Sequence, residues 1–256
     1  MPSPSTSLAT LRPELGGSME AFDLAADRAG FIGLKLLPVF EAAEQSGSFG
    51  KIPLEELLKN RDTERAPGGT YVGGDWKFTS DSYSCQEHGV ALPVDDRQAR
   101  MYHNYFNAER AVAMMARDVV LRNMEKRAAA LLFSTSTFSN EAGSDWTTHS
   151  SATPMDDVEI AVRAVYTASG LWPNTLAISR FAFRDLRLCD EIIDRLKYAG
   201  FDDVKPEKIT AQMLAQVFDL DQVVVAGGTK NTANEGQTAV PGAIWGADKA
   251  LVCRVD

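Results

Sequence analysis

The chain has 256 residues, of which 45% are apolar and 24% charged, and its formal net charge is −9. That composition excludes a disordered chain and supports a substantial core, as one large domain or two modest ones. The acid excess argues against a free basic surface for nucleic acid, which needs clustered Lys and Arg, but not against a protein that surrounds nucleic acid without gripping it.

Residues 1–18 are rich in Ser, Pro and Thr and read as a flexible arm. The arm lacks a basic region followed by an apolar one, so no signal peptide is expected. No apolar run approaches the roughly 18–20 residues that span a bilayer, and a soluble, intracellularly made protein is expected. Cys85, Cys189 and Cys253 are few, odd in number and far apart. They predict buried or reduced thiols rather than a disulfide scaffold.

Next, MEAFDLAADRAG (residues 19–30) predicts a short helix with Ser18 as N-cap. FIGLKLLPVF, which ends near Pro38, is apolar and needs a hydrophobic partner. An apolar anchor behind a flexible arm predicts a segment that lies on a neighbouring molecule. From 47 to 96 helical periodicity is confined to PLEELLKN. GSFGKI and DWKFTSDSYSCQEHGVALPV alternate in places, with Trp76 and Phe78 on one face, then Tyr83 and Cys85. Two antiparallel strands joined by a long polar loop are expected, a ribbon that needs something to lie against.

Residues 104–134 have neither Gly nor Pro and are full of helix formers. Ala108, Val112, Met115 and Val119 follow helical spacing, as do Val120, Met124, Ala128 and Leu131. Thirty such residues make a rod of roughly 45 Å. After a Ser/Thr-rich connection, TPMDDVEIAVRAVYTASG predicts a helix capped by Thr153, begun at Pro154 and ended at Gly170. NTLAIS predicts a strand and RFAFRDLRLCDEIIDRLKYAG one helix or two. TAQMLAQVF predicts a helix opening at Thr210, and QVVVAGG a buried strand. GGTKNTANEGQTAVPG reads as a surface loop, and AIWGADKALVCRV as a strand pair turning near Ala247 and Asp248. Residues 151–256 thus form a mixed α and β domain.

The search for chemistry yields no catalytic, cofactor or metal residue. ERAPGGTYVGGDW (64–76) has two glycine pairs, but it lacks the Gly-Lys-Ser/Thr run and the following helix that cradle a phosphate. The glycines after QVVVA are followed by no helix either. His88, His103 and His149 lack metal-ligand spacing. No Gly-x-Ser-x-Gly elbow is present. The adjacent acids Asp95-Asp96, Asp156-Asp157 and Asp202-Asp203 suit turns and first-turn caps rather than an acid–base pair. The four Trp (Trp76, Trp146, Trp172, Trp245) are expected to be core or interface anchors, with Trp172 packed at a helix-to-strand junction.

The order of parts, together with FIGLKLLPVFEAAEQSGSFGKI, RDTERAPGGTYVGGDWKFTSDSYSCQEHGVALPVDDR, GLWPNTLAISRFAFRDL and ITAQMLAQVFDLDQVVVAGGTKNTA, resembles the major capsid proteins of tailed bacteriophages with the Hong Kong 97 phage-type fold. The resemblance covers about residues 31–256. It implies an α+β capsid fold with an N-terminal arm (1–48), an extended β-ribbon loop (49–96), a peripheral domain with a spine helix (97–150) and an axial domain (151–256). Chains of this family usually return to the peripheral domain at their C-terminus, and here that return is expected to be missing. The implied function is structural, with no enzyme activity: self-assembly into pentamers and hexamers of an icosahedral shell around double-stranded DNA, in the host cytoplasm, as part of the virion. Implied partners are other copies of the chain, a scaffolding protein, a portal and non-specific contacts with DNA, with no membrane. Arg65, Pro67, Gly68, Gly69, Tyr71 and Trp76 of the extended loop are the expected assembly contacts, their glycines letting the ribbon change angle. An encapsulin-like compartment shell is the alternative within the same fold, and a soluble oligomeric enzyme the alternative outside it.

Overall fold

The computed structural model describes residues 24–61, 63–71, 73–102, 107–138, 143–199 and 205–255. The expected arm before residue 24, the proposed Ser18 cap and His103 lie outside these. The chain divides into two units, residues 39–88 and the remainder.

The larger unit is organised by the sequence TLAIS. Its strand β3 (Thr175–Ser179) is buried along its whole length, as an uninterrupted apolar run flanked by turns predicts. It is the central strand of three. On one side it pairs in parallel with β4 (Gln222–Ala226), and on the other antiparallel with β7 (Ala250–Cys253). Ser179 ends β3 and caps the next helix, α7 (Arg180–Leu186): its Oγ accepts from Ala182 N at 3.1 Å and donates to Ala247 O at 2.6 Å.

The segment after Arg180 forms two helices, α7 and α8 (Asp190–Tyr198), and α9 (Ala211–Val217) is capped by the Thr210 hydroxyl as expected. Helix α6 (Pro154–Ser169) begins at Pro154 and ends at Gly170, whose φ of 73° only glycine adopts cheaply. These helices bury Val158, Val162, Leu186, Ile192, Leu196 and Leu214 against Leu176 and Ile178.

Thr153 occupies the cap position of α6 without a side-chain cap bond. Asp157 serves that end instead. It accepts from Gly143 N at 2.7 Å, Ser144 Oγ at 2.6 Å and Trp146 Nε1 at 2.8 Å, and so ties the incoming connection to the first turn.

A second core joins three distant parts of the chain. Ile32 and Leu36, in and beside the short helix α2 (Gly33–Leu36), pack with Ala128 and Ala129 of the long helix α5 (Ala108–Leu132) and with Ala226, Ile244 and Trp245. The apolar anchor is therefore corrected: Ile32 and Leu36 are buried in their own subunit, because Glu125 of α5 offers the backbone of 32–33 an acceptor there. Ahead of it lies α1 (Leu24–Ala29), shorter than the helix expected over 19–30, whose first residues are not described.

Helix α5 matches expectation only in part: Ala128 of the apolar series is buried, but the rest of the face it buries differs. Met115, Val119 and Leu131 of the apolar series are exposed, whereas Asp118 and Glu125 are buried. Specific polar partners, described below, outweigh apolar periodicity here. α4 (Asp96–Tyr102) precedes it and packs on it.

Two pairing expectations at the C-terminal end are also corrected. The expected loop 227–242 holds a hairpin, with β5 (Thr229–Asn231) pairing antiparallel to β6 (Pro241–Ala243). The strands flanking the turn at 247–248 do not pair with each other: β6 pairs with β5, and β7 with β3. The free edge of β3 is the stronger attractor, since β7 can bury Val252 beside Leu176 there.

The smaller unit contains one ribbon, β1 (Ser46–Lys51) antiparallel to β2 (Thr79–Ser84), and a one-turn helix, α3 (Leu54–Leu57). The expected alternation is corrected here, because Trp76 and Phe78 precede β2 rather than sharing one of its faces. Gly47 stands opposite Tyr83, and a Cβ on it would meet the Tyr83 hydroxyl at 2.9 Å.

Candidate assembly interface

No described residue between 39 and 88 is buried. Yet Val39, Phe40, Phe49, Ile52, Leu54, Leu57, Leu58, Tyr71, Trp76 and Phe78 are all exposed, Val39, Phe40 and Tyr71 at 75–79%. A two-stranded ribbon is marginal alone, and contiguous exposed apolar surface is the kind that protein interfaces cover.

The loop between α3 and β2 carries all six expected contact residues. Ala66-Pro67-Gly68-Gly69 is a type II turn: Pro67 supplies the fixed φ, Gly68 has φ 83°, and Gly69 N donates to Ala66 O at 2.9 Å. The first glycine pair thus has a defined turn role. Arg65 then lies over the ring of Tyr71, 4.5 Å from its centroid.

The second pair makes room for a side chain that sequence reasoning did not single out. Arg61 occupies the space that a Cβ on Gly74 would take. Its guanidinium donates to Asp75 O at 2.9 Å and lies 5.4 Å from the Trp76 ring centroid. Two Arg–aromatic pairs therefore brace the loop, each worth about 0.5–1 kcal/mol at an exposed site. The spacing Arg-x₅-Tyr was the available signal, since short loops bring such pairs together.

At the base of the long helix, Glu125 is 1% exposed. Its carboxylate accepts from Ile32 N at 2.6 Å, Gly33 N at 3.0 Å and Trp245 Nε1 at 2.8 Å. One helical turn earlier, Arg122 donates to Asp118 and Asp27, each at 2.7 Å, and to Thr229 O. Burial acts to lower the Arg122 pKa, but Asp118 and Asp27 together hold it above the usual value. Asp27 also accepts from Thr229 N at 2.9 Å. Gly30 and Gly227 touch backbone to backbone, with Gly227 N donating to Gly30 O at 2.9 Å. The segment leading into the smaller unit is thereby fastened to α5 and to the β4–β5 connection. Sequence reasoning missed this, because the partners are separated by about ninety positions or more.

Two of the three thiols sit in settings that disfavour the thiolate. His149 lies 3.6 Å from Asp185, and Cys189 is fully buried. Burial, helped by Asp185, Glu191 and Asp190, pushes the Cys189 thiol up to about 11, away from a nucleophile's range. Burial raises the Cys253 thiol as well. A half-open cleft of ≈ 330 Å³ lies among Arg180, Phe181, Gly227, Gly228, Gly242 and Trp245, and apart from Arg180 it has no ionisable lining. Among the described residues no His/Cys/Asp/Glu group is arranged to hold a metal, and no helix is long and apolar enough to cross a membrane. Trp172 is corrected from a packed junction residue to an exposed one: it stacks on Tyr166 with ring centroids 4.4 Å apart.

No family model matches the chain. The chain is 24% identical over 230 residues to the major capsid protein of Burkholderia phage BcepMu, which covers 87% of this chain and 71% of that protein. Its fold is similar to a phage-related protein from Bordetella bronchiseptica RB50 (TM-score 0.61, 22% identity, 95% of this chain and 76% of that one). It is also similar to the capsid structure of Cyanophage P-SCSP1u (TM-score 0.51, 11% identity, 84% of this chain and 69% of that one). The chain is thus a relative of a phage major capsid protein, with a mixed α and β fold that also occurs in a phage capsid.

Proposed function

We propose that the chain is a structural subunit of a bacteriophage head, a major capsid protein that assembles with copies of itself and catalyses nothing. The observation that carries this reading is the unit 39–88: ten exposed large apolar side chains and no buried described residue. A compact monomer has no use for such a unit, whereas a shell needs elements that reach across its many interfaces. The exposed Met114, Met115 and Val119 of α5 offer neighbouring copies a second surface. The similarity to a phage major capsid protein supports the same role.

In the finer reading, the fold is of the Hong Kong 97 phage type, with arm 1–48, extended loop 49–96, peripheral domain 97–150 and axial domain 151–256. Arg65, Pro67, Gly68, Gly69, Tyr71 and Trp76 then form the loop's contact surface. The subunits form pentamers and hexamers of an icosahedral shell in the virion, assembled in the host cytoplasm with a scaffolding protein and a portal. The net charge of −9 suits a wall that contains double-stranded DNA with only non-specific contacts.

The test is size-exclusion chromatography followed by negative-stain microscopy of the purified chain. Shells, rings or large assemblies are expected. A discrete small oligomer that stays small at high concentration and binds a metabolite would overturn the reading.

A further inference from the structure

The phase of the β1–β2 ladder decides which backbone groups face outward. Cys85 N donates to Gln45 O at 2.7 Å, one step beyond the paired Ser46 and Ser84. In an antiparallel ladder hydrogen-bonded pairs recur every second residue. The inward pairs are therefore Gly47 with Tyr83, Phe49 with Asp81 and Lys51 with Thr79. Ser46, Ser48 and Gly50 on β1, and Ser80, Ser82 and Ser84 on β2, turn their N–H and C=O groups to the two outer edges.

The two edges are not equivalent. On β2 the central outward N–H, that of Ser82, is already taken by the Asp81 carboxylate at 2.9 Å. A carboxylate on that N–H blocks strand addition, since an incoming strand would lose a donor and meet a charge. On β1 no described group caps the N–H of Ser46, Ser48 or Gly50. The ribbon is closed on one side and open on the other.

We propose that the β1 edge pairs with the β1 edge of a second copy, antiparallel and centred on Ser48, so that two ribbons form one four-stranded sheet. This rests on the reading of the ribbon as an element between subunits, and it names the partner and the register. Outward groups must meet outward groups, so within a strand running from 46 to 51 a two-fold pair overlaps equally when centred on Ser48 or on Phe49, and Ser48 is the centre that sets Lys51 against the Glu44–Gln45 end. Ser46 then faces Gly50 of the second copy, and side chains that small bring no clash. Phe49 faces the second copy's Gly47, on the sheet face that also carries Tyr83. Lys51 faces Gln45 of the second copy, next to Glu44 in the bend before β1, so that the exposed cation of each copy comes near an exposed acid of the other. Each copy supplies the same complementary ends, which a self-pairing edge requires.

Cysteine cross-linking of the full chain tests this in a Cys85→Ser background. The Cα atoms of a hydrogen-bonded antiparallel pair lie about 5.5 Å apart, inside the disulfide range of about 4.4–6.8 Å. Under mild oxidation Ser48→Cys is expected to run mainly as a covalent dimer on a non-reducing gel, while Ser82→Cys on the capped edge stays largely monomeric. Adding Lys51→Glu to Ser48→Cys is expected to reduce the dimer several-fold, and Glu44→Lys to restore it. Cross-linking of Ser48→Cys no greater than that of Ser82→Cys would overturn the pairing. Large particles without the Ser48 cross-link would sink the edge pairing and leave the capsid reading standing. Cross-linked dimers that form nothing larger would do the reverse.

Discussion

Glu125 and Trp245, 120 positions apart in the chain, meet at 2.8 Å inside the second core, with the indole N–H donating to a carboxylate that is itself 1% exposed. The same carboxylate holds the backbone N–H groups of Ile32 and Gly33. One side chain of the long helix therefore joins the N-terminal segment, the helix and the C-terminal strands. Removing it strands three buried donors at once, each costing about 1–3 kcal/mol. Glu125→Ala is expected to lose several kcal/mol in urea unfolding, and Glu125→Gln, which keeps one acceptor oxygen, distinctly less. Equal losses for the two variants would show that packing, not acceptance, is what matters at this position.

Gly30 tests the contact of that segment with the β4–β5 connection. A Cβ there would approach Gly227 Cα to 2.7 Å, and backbone cannot step aside as a flexible side chain can. Gly30→Ala is expected to cost about 1–3 kcal/mol by overpacking. A melting temperature unchanged within error would mean that the approach is looser than described.

Deletion of residues 61–74 separates folding from assembly. The unit that contains them buries no described residue, so the larger unit's core loses nothing. The variant is expected to keep the parent's near-ultraviolet circular dichroism and melting temperature but to form no closed particles. Normal particles in the microscope would refute the interface assignment.

Ala128 is buried in the last third of α5 and in contact with the second core. Ala128→Pro removes a helix hydrogen bond and introduces a clash, a cost of about 3 kcal/mol or more. Soluble expression of the larger unit is expected to fall sharply. Ala113→Pro, at an exposed position nearer the helix start, is expected to cost less through lost core contacts.

Cys189 gives a pH dependence with a definite sign. Its thiol titrates near 9 when unfolded and at about 11 in the fold, so the native state holds its proton longer. The stabilisation is complete below pH 9 and is lost as pH rises through about 11, on the order of 2–3 kcal/mol in all. Cys189→Ala is expected to flatten the fall in stability over that window. At pH 8 a thiol reagent is expected to label exposed Cys85 first, and Cys189 only on unfolding.

Elements set by near neighbours in the chain were legible from the residues alone. Pro154 and Gly170 bound α6, Thr210 caps α9, and the absence of Gly and Pro from 108–132 permits one long helix, because these effects act over one turn. The ribbon's two strands and the polar loop between them were legible too, although their pairing spans 28 to 38 positions, and so was the shortage of apolar partners around them. Tertiary structure alone decided which face of α5 is buried, which strand β7 joins and where the apolar anchor goes. Apolar periodicity pointed to Met115, Val119 and Leu131, but Asp118 and Glu125 went inside. A buried carboxylate is favourable only when donors converge on it, and those of Ile32, Gly33 and Trp245 come together only once the chain has folded. The same limit applies to Arg122, whose acid partner Asp27 and carbonyl partner Thr229 lie 95 and 107 positions away.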